Sequence, residues 1–239
     1  MNSPSSLDII IPCYNPPLGW VEGIISNYNF ICSELGHSPN LILVNDGSSQ
    51  NFKPADVATL ETSIERFQLI SLDENQGKGA ALKKGVEASQ SDKIIFTDID
   101  FPYENESFFA VLQSLDNGHN VVLGVRENDY YKKVPLFRKV LSKSFRFAMK
   151  SFLRLKSDDT QCGLKAFDAI GKKYFLQTTT KRFLFDVEFV LYCSQAKDID
   201  LNTVKVLLKP GVVFSKMPMK ILMREGINFI KILFLASKK

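Results

Sequence analysis

Residues 94–100 read Ile-Ile-Phe-Thr-Asp-Ile-Asp, an apolar run that ends in two carboxylates. The apolar part predicts a buried β-strand, because short runs of branched and aromatic residues bounded by polar ones are typical of strands in a sheet core. Side chains alternate in an extended chain, so we expect Asp98 and Asp100 to point to the same side and to share a hard cation, Mg²⁺ or Mn²⁺. An isolated Asp-x-Asp is common by chance, and its place at a strand end makes this one informative.

Similar apolar runs recur on both sides of this segment. They predict further strands at residues 7–12, 41–44, 67–70 and 121–124. Helix-length stretches lie between the strands or after them, near 19–35, 55–65, 79–90, 104–117 and 183–196. Near-continuous apolar strands that alternate with helices predict an α/β fold, with a mainly parallel, Rossmann-like sheet covered by helices on both faces.

Polar clusters follow these strands at their carboxyl ends, where ligands bind in such sheets. One is Tyr14-Asn15 and another is Asn45-Asp46-Gly47-Ser48. Asp46 could accept hydrogen bonds from a base or ribose or could close an Asx-turn, and from this motif alone the turn is favoured. Gly77-Lys78-Gly79 opens a predicted helix, where backbone N–H groups and a lysine suit an anion. A turn with a solvated lysine is the plain alternative for that segment.

Composition limits the class of protein. Of the 239 residues, 45% are hydrophobic and 23% are charged, which predicts one globular domain over residues 1–239 and excludes a disordered or collagen-like chain. No apolar run reaches the roughly 18–20 residues that span a bilayer, and the first residues lack the features of a signal peptide. The 4 cysteines have no metal-binding spacing. We therefore expect a reducing, cytoplasmic compartment.

Positive charge is concentrated in two segments. Residues 132–156 carry nine Lys or Arg and no acid, and residues 209–239 carry seven bases and one acid. Periodicity predicts a basic amphipathic helix over 135–155 and a nearly all-apolar helix over 217–236. We expect peripheral contact with a membrane surface or a membrane partner, and no nucleic-acid binding, because no recognised nucleic-acid motif accompanies the charge. A solvated basic face and a core or dimer-interface helix are the alternatives, and the oligomeric state is open.

Four motifs occur in an order that is typical of one enzyme family. They are Ile-Ile-Ile-Pro-Cys-Tyr-Asn at 9–15, Val-Asn-Asp-Gly-Ser at 44–48, Asn-Gln-Gly-Lys-Gly-Ala-Ala-Leu at 75–82 and Thr-Asp-Ile-Asp at 97–100. This series resembles the family-two inverting glycosyltransferases, which have the GT-A nucleotide-diphospho-sugar transferase fold. Two later motifs, Asp-Thr-Gln-Cys-Gly-Leu-Lys at 159–165 and Phe-Asp-Val-Glu at 185–188, look like the branch of dolichyl-phosphate glucosyltransferases and mannosyltransferases.

The resemblance implies a nucleotide-sugar-binding half (7–126), an acceptor half (127–216) and a C-terminal helix (217–239). It implies that the donor is bound by a set of residues from both halves, namely Pro12, Tyr14, Asn15, Asp46, Gly47, Lys78, Asp98, Ile99, Asp159 and Gln161. Asp98 and Asp100 would hold its diphosphate through Mg²⁺ or Mn²⁺. The implied catalytic residues are Asp100, Arg126, Arg138, Asp186 and Glu188. The arginines would hold the donor diphosphate and the acceptor phosphate, and the last two acids would contact the sugar or act as a base.

The reaction implied by the resemblance is inverting transfer of a hexose from a nucleotide sugar to a polyprenyl or dolichyl phosphate. UDP-glucose is favoured as the donor, with GDP-mannose as the alternative. An ionised phosphate needs positioning but no general base. A saccharide acceptor in cell-envelope polysaccharide synthesis would need one. A non-catalytic nucleotide-sugar-binding protein is a third possibility, because Pro16 stands where the family usually has a glutamate.

Overall fold

A computed structural model describes residues 6–126 and 159–212. Arg138 and the predicted helices over 135–155 and 217–236 lie outside the described residues. The elements in chain order are β1 (Leu7–Cys13), α1 (Trp20–Leu35), β2 (Asn40–Asp46), α2 (Pro54–Ser63), β3 (Phe67–Leu72), α3 (Lys78–Ala88), β4 (Lys93–Phe96), α4 (Asn105–Asp116), β5 (Val121–Arg126), β6 (Lys165–Asp168), α5 (Ala169–Leu176), α6 (Phe185–Gln195) and β7 (Leu201–Val206). Within these ranges no helix has the length and apolarity that crossing a lipid bilayer requires.

The strands form one sheet in the order β3-β2-β1-β4-β6-β5-β7. Every neighbouring pair is parallel except those of β6, which runs antiparallel to both β4 and β5. The predicted mainly parallel sheet is therefore confirmed, whereas β6, α5 and β7 have no counterpart in the sequence-based prediction. Because β5 pairs with strands from beyond residue 159, the sheet joins residues of both predicted halves.

Helices cover both faces of the sheet, as the alternating side chains of β1 illustrate. Ile9 and Ile11 pack into the cluster that includes residues of α1 and α4, and Ile10 packs into the opposite cluster with residues of α3 and α6. On that second face the Phe96 ring lies 6.2 Å from Phe167 and 6.3 Å from Phe185, between ring centroids. These contacts fix the end of β4 against β6 and the start of α6, the elements from which the candidate site is built.

Candidate functional site

The carboxylates of Asp98 and Asp100 lie in a turn just after β4. β4 ends at Phe96, and the backbone N–H of Phe101 donates to the Asp98 carbonyl oxygen at 3.0 Å. Phe101 has a φ of 42°, a left-handed conformation that is uncommon for a bulky residue, and its side chain is buried. The expectation of an extended chain through Asp100 is therefore wrong. Burial raises the pKa of Asp100, and the nearby negative charge of Asp98 adds to the shift.

The ammonium group of Lys78 forms an ion pair with Oδ1 of Asp98. Lys78 is the first residue of α3, and its side chain is 20% exposed. Burial opposes the charged form of the lysine, but the Asp98 and Asp186 carboxylates outweigh it and raise the pKa of Lys78. Lys78 is therefore a charged partner of Asp98. Its predicted contact with the nucleotide stays a prediction.

Gly163 allows Asp98 to lie directly against the backbone of the loop that precedes β6. A Cβ atom at this position would overlap Oδ2 of Asp98 and would lie 2.9 Å from its Cγ. The backbone N–H of Gly163 donates to the Tyr103 hydroxyl at 2.8 Å, which anchors the loop. The sequence motif contained Gly163 but did not reveal this contact.

A buried ion pair between Lys165 and Asp186 adjoins this site. The Lys165 Nζ atom lies 2.7 Å from Oδ1 of Asp186, at an angle outside hydrogen-bond geometry, and donates to the carbonyl oxygen of Cys162. Lys165 is fully buried and Asp186 is 4% exposed. Burial raises the pKa of Asp186, although Lys165 and Lys78 oppose the shift. Lys165 therefore joins β6, the 159–163 loop and the start of α6, a role that sequence reasoning missed.

Asp159 and Arg126 form a second pair, at the end of β5. The Arg126 Nε and Nη2 atoms donate to the two carboxylate oxygens at 2.9 and 2.7 Å, and its backbone N–H donates to Oδ2 at 2.8 Å. Burial opposes the charge of Arg126, but the hydrogen-bonded Asp159 outweighs it and raises the pKa of the guanidinium. Asp159 is buried and Gln161 is exposed. Their predicted contacts with the sugar, and that of Arg126 with a diphosphate, stay predictions.

Glu188 stands apart from these charges. Its carboxylate accepts hydrogen bonds from the backbone N–H groups of Thr179 and Thr180 and from the hydroxyls of Thr179 and Tyr192, at 2.8–3.0 Å. The residue is fully buried. These bonds tie α6 to the loop that follows α5, and the geometry therefore favours a structural role for Glu188 over that of a base. Asp186, in contrast, acts electrostatically on Lys78, the partner of Asp98.

The loops after β1 and β2 are joined by Asn15 and Ser48. The side-chain oxygen of Asn15 accepts from the backbone N–H groups of Ser49 and Gln50 at 2.9 and 3.0 Å, and its own N–H donates to the Ser48 hydroxyl. The Asx-turn that was favoured for Asp46 is instead closed by Asn45, whose Oδ1 accepts from the Ser48 N–H at 3.0 Å. The turn is present, but its residue differs from the one expected.

Four other predicted donor-binding residues lie in the loops or strand ends around these contacts. Pro12 and Ile99 are half-buried, and Tyr14 is 51% exposed. Gly47 has a φ of 65°, and a Cβ atom there would lie 2.5 Å from the carbonyl carbon of Glu74, so the position requires glycine. Their contacts with a nucleotide stay predictions.

Asp46 reaches across to the loop before α3. Its carboxylate accepts from the side-chain amide of Asn75 and from the backbone N–H groups of Gln76 and Gly77, each at 2.8 Å. Asp46 is 2% exposed. The carboxylate therefore fixes the loop that leads into Lys78.

Glycines 77 and 79 permit close packing of α3 against the segment before α6. A Cβ atom at Gly77 would lie 2.6 Å from the Lys181 carbonyl oxygen, and one at Gly79 would lie 2.7 Å from the Phe185 Cβ atom. The N–H of Ala80 donates to the same Lys181 carbonyl oxygen. The anion-binding interpretation of residues 77–79 therefore gains no support, because protein atoms already occupy the space beside these glycines.

Replacing Asp46 by alanine is expected to lower the free energy of unfolding by about 2–3 kcal/mol, because two backbone donors and one amide lose a charged acceptor. Urea denaturation would measure the loss. Asp73→Ala, which removes an exposed carboxylate two residues before Asn75, serves as the control and should change stability by less than about 0.5 kcal/mol. Unchanged stability of Asp46→Ala together with weaker donor binding would instead support the predicted nucleoside contact.

The site provides oxygen ligands for a divalent cation. In residues 6–126 and 159–212 there is no group of three or more His, Cys, Asp or Glu side chains that could hold a metal ion. Asp98 and Asp100 nevertheless fit Mg²⁺ or Mn²⁺, because Mg²⁺ is typically bound by one or two carboxylates with substrate phosphates and water completing its ligands. Burial and then the Asp98 charge raise the pKa of Asp100, and a cation shared by the two carboxylates would offset that repulsion.

Three relatives of this chain are named as transferases of dolichyl phosphate or undecaprenyl phosphate. It is 28% identical to the dolichyl-phosphate beta-glucosyltransferase of Drosophila melanogaster, over 86% of this chain and 68% of that protein. The protein of the same name from Homo sapiens is also 28% identical, over 84% of this chain and 66% of that protein. An undecaprenyl-phosphate 4-deoxy-4-formamido-L-arabinose transferase of Pseudomonas syringae is 27% identical, over 67% of this chain and 47% of that protein. The chain thus spans about two thirds of the first two relatives and about half of the third.

Solved structures with the same fold support the predicted GT-A architecture. Mannosyl-3-phosphoglycerate synthase from Rubrobacter xylanophilus matches with a TM-score of 0.68 at 12% identity, over 96% of this chain and 73% of that one. Glucosyl-3-phosphoglycerate synthase from Mycobacterium tuberculosis, solved with Mg²⁺ and UDP, matches with a TM-score of 0.61 at 15% identity, over 97% of this chain and 79% of that one. These likenesses confirm the fold class. The model of the family "Glycosyl transferase family 2" matches residues 8–173, and this chain therefore belongs to that family of glycosyltransferases.

Proposed function

We propose that this chain transfers a hexose from a nucleotide sugar to a polyprenyl or dolichyl phosphate, with UDP-glucose favoured over GDP-mannose and with Mg²⁺ or Mn²⁺ as cofactor. The observation that carries the proposal is the Asp98–Asp100 turn, which follows the carboxyl end of β4 in a chain of glycosyl transferase family 2. Relatives that align over most of the chain are named as glycosyltransferases of dolichyl phosphate, which supports the acceptor class. The M. tuberculosis neighbour, solved with Mg²⁺ and UDP, supports the donor and metal.

Charge stabilisation is the main chemical contribution that this site offers. A divalent cation at Asp98 and Asp100 would neutralise charge on the departing nucleoside diphosphate. Arg126 is held in one orientation by Asp159, and its planar group suits an anionic oxygen. The guanidinium is therefore preorganised, and it loses little freedom when a diphosphate binds.

A lipid phosphate acceptor needs no general base, which agrees with the observation that the carboxylates of Asp186 and Glu188 already have protein partners. A lipid phosphate is ionised at neutral pH, so it can attack the anomeric carbon directly and no side chain has to remove a proton. A single displacement inverts the configuration at that carbon. Glu188, whose carboxylate already accepts four hydrogen bonds from protein donors, and Asp186, which is paired with Lys165, are then not needed as bases. A saccharide acceptor would require one of them to serve as the base.

Contact with a membrane surface belongs to the same proposal. A lipid-linked acceptor has to be met at a bilayer, and basic residues near an anionic surface contribute about 1 kcal/mol each. The basic segment 132–156 and the segment 209–239 supply those charges in the sequence. Arg138, in the first of them, is the proposed residue for the acceptor phosphate.

Transfer of labelled sugar from UDP-glucose or GDP-mannose to a short polyprenyl phosphate, with Mg²⁺ or Mn²⁺, tests the proposal. We expect lipid-linked product from one donor and a loss of at least about a hundredfold in Asp100→Ala and Arg138→Ala, because both remove charge stabilisation. Glu61→Ala removes an exposed carboxylate on α2 and should retain full activity. Donor hydrolysis without lipid product would favour the saccharide acceptor. Tight nucleotide binding without turnover would favour the binding protein.

A further inference from the structure

Both oxygens of the Asp98 carboxylate have close neighbours, although the side chain is 35% exposed. Oδ1 is paired with the ammonium group of Lys78, and Oδ2 lies against the Gly163 backbone so closely that no Cβ atom would fit between them. A cation shared by Asp98 and Asp100 therefore binds a carboxylate that already has a positively charged partner.

Three carboxylates and three ammonium groups of the described residues interact electrostatically around this position. The carboxylates are those of Asp98, Asp100 and Asp186, and the ammonium groups are those of Lys78, Lys165 and Lys209. A divalent cation bound alone would add two positive charges next to that of Lys78, in a partly buried site where they are poorly screened. A nucleoside diphosphate carries the negative charge that cancels them.

We propose that Lys78 competes with the divalent cation for Asp98 and so makes metal binding depend on the donor diphosphate. This inference rests on the metal-dependent transfer proposed above. When the diphosphate binds, its oxygens provide a second set of acceptors for the Lys78 ammonium group, which lets the lysine leave Asp98 to the cation. The consequence for function is ordered loading: the cation binds tightly only together with the nucleotide.

Binding of Mn²⁺ to the whole protein, followed by the electron paramagnetic resonance signal of free Mn²⁺, tests this without sugar or acceptor. Lys78→Met should bind Mn²⁺ alone about tenfold more tightly than the unsubstituted chain, because a positive charge in contact with a ligand carboxylate is removed. UDP should strengthen Mn²⁺ binding in the unsubstituted chain, and in Lys78→Met that enhancement should fall by a similar factor. Lys78→Arg keeps the charge and should bind Mn²⁺ alone as weakly as the unsubstituted chain does.

Two control variants define what the result means. Lys84→Met removes a lysine from the same helix that pairs with Glu87 rather than with Asp98, so it should leave Mn²⁺ affinity unchanged. Asp98→Asn should abolish binding at this site. Equal or weaker Mn²⁺ affinity in Lys78→Met than in the unsubstituted chain would overturn the inference while leaving the proposed transfer intact. Unchanged Mn²⁺ binding in Asp98→Asn would overturn the metal site as well.

Discussion

Replacing Gly163 by alanine is expected to reduce sugar transfer by about a hundredfold or more. The new Cβ atom would overlap Oδ2 of Asp98 and would lie 2.9 Å from its Cγ, so the carboxylate would have to move. Gly163 itself is held by the Tyr103 hydroxyl, and the adjacent Cys162 carbonyl is held by Lys165, so the loop cannot easily yield. A displacement of about 1 Å in a group that positions a substrate can cost on the order of a hundredfold in rate.

A matched substitution on α1 separates this contact from the general effect of adding a methyl group. A Cβ atom at Gly23 would meet no neighbouring group within 4 Å, and alanine is preferred to glycine within a helix by about 0.5–1 kcal/mol. Gly23→Ala should therefore be at least as stable as the unsubstituted chain and equally active. Initial rates and urea denaturation of both variants provide the comparison. Gly163→Ala with more than half of the original activity would show that Asp98 tolerates the displacement.

The first five strands could be predicted from the sequence, whereas the last two could not. β1 to β5 are apolar runs that are recognisable in isolation, and their predicted bounds lie within a few residues of the observed ones. β6 has only four residues, Lys165–Asp168, and two of them are charged. It is a strand because β4 and β5 supply hydrogen-bonding partners on both sides, and that pairing is a long-range property.

In the candidate site, the types of residue were predictable but their partners were not. The two acids of the turn were found from their position after an apolar run, while the turn at Asp98 depends on a left-handed Phe101 that no local pattern indicated. One signal for the buried lysine was present in the sequence. Residues 184–191 are apolar except for Asp186 and Glu188, and buried acids of this kind need partners. Which group would pair with which acid depends on how α6 packs against β6.

Replacing Lys165 by methionine is expected to lower the free energy of unfolding by about 3–5 kcal/mol. The change keeps much of the side-chain volume in a fully buried position but leaves Asp186, which is 4% exposed, without its nearest cation. Breaking a buried ion pair by removing one member has this cost because the remaining charge stays desolvated. The carbonyl oxygen of Cys162 also loses its donor, which adds to the loss.

The double variant Lys165→Met, Asp186→Leu distinguishes an unpaired charge from a simple packing defect. Replacing both members of a buried pair by apolar residues is often neutral or stabilising, so the double variant should recover most of the stability that the single variant loses. A packing defect would instead be retained or made worse. Urea denaturation of the two variants and of the unsubstituted chain measures the difference. If the double variant is as unstable as the single one, the ion pair is not the source of the loss.

The dependence of stability on pH provides a second test of whether an unpaired Asp186 charge destabilises Lys165→Met. Burial raises the pKa of Asp186, and Lys165 opposes the shift, so loss of the lysine should raise this pKa further. In Lys165→Met the folded chain then holds the Asp186 proton at a pH where the unfolded chain, with a pKa of about 3.9, has released it. Because the pKa of Asp186 is already raised in the unsubstituted folded chain, the stability of the variant relative to that chain should fall as pH rises from this folded-state pKa to the higher one of the variant. A deficit that is smaller at pH 5 than at pH 8 is the expected result, whereas an equal deficit at both would assign the loss to uncharged packing around β6.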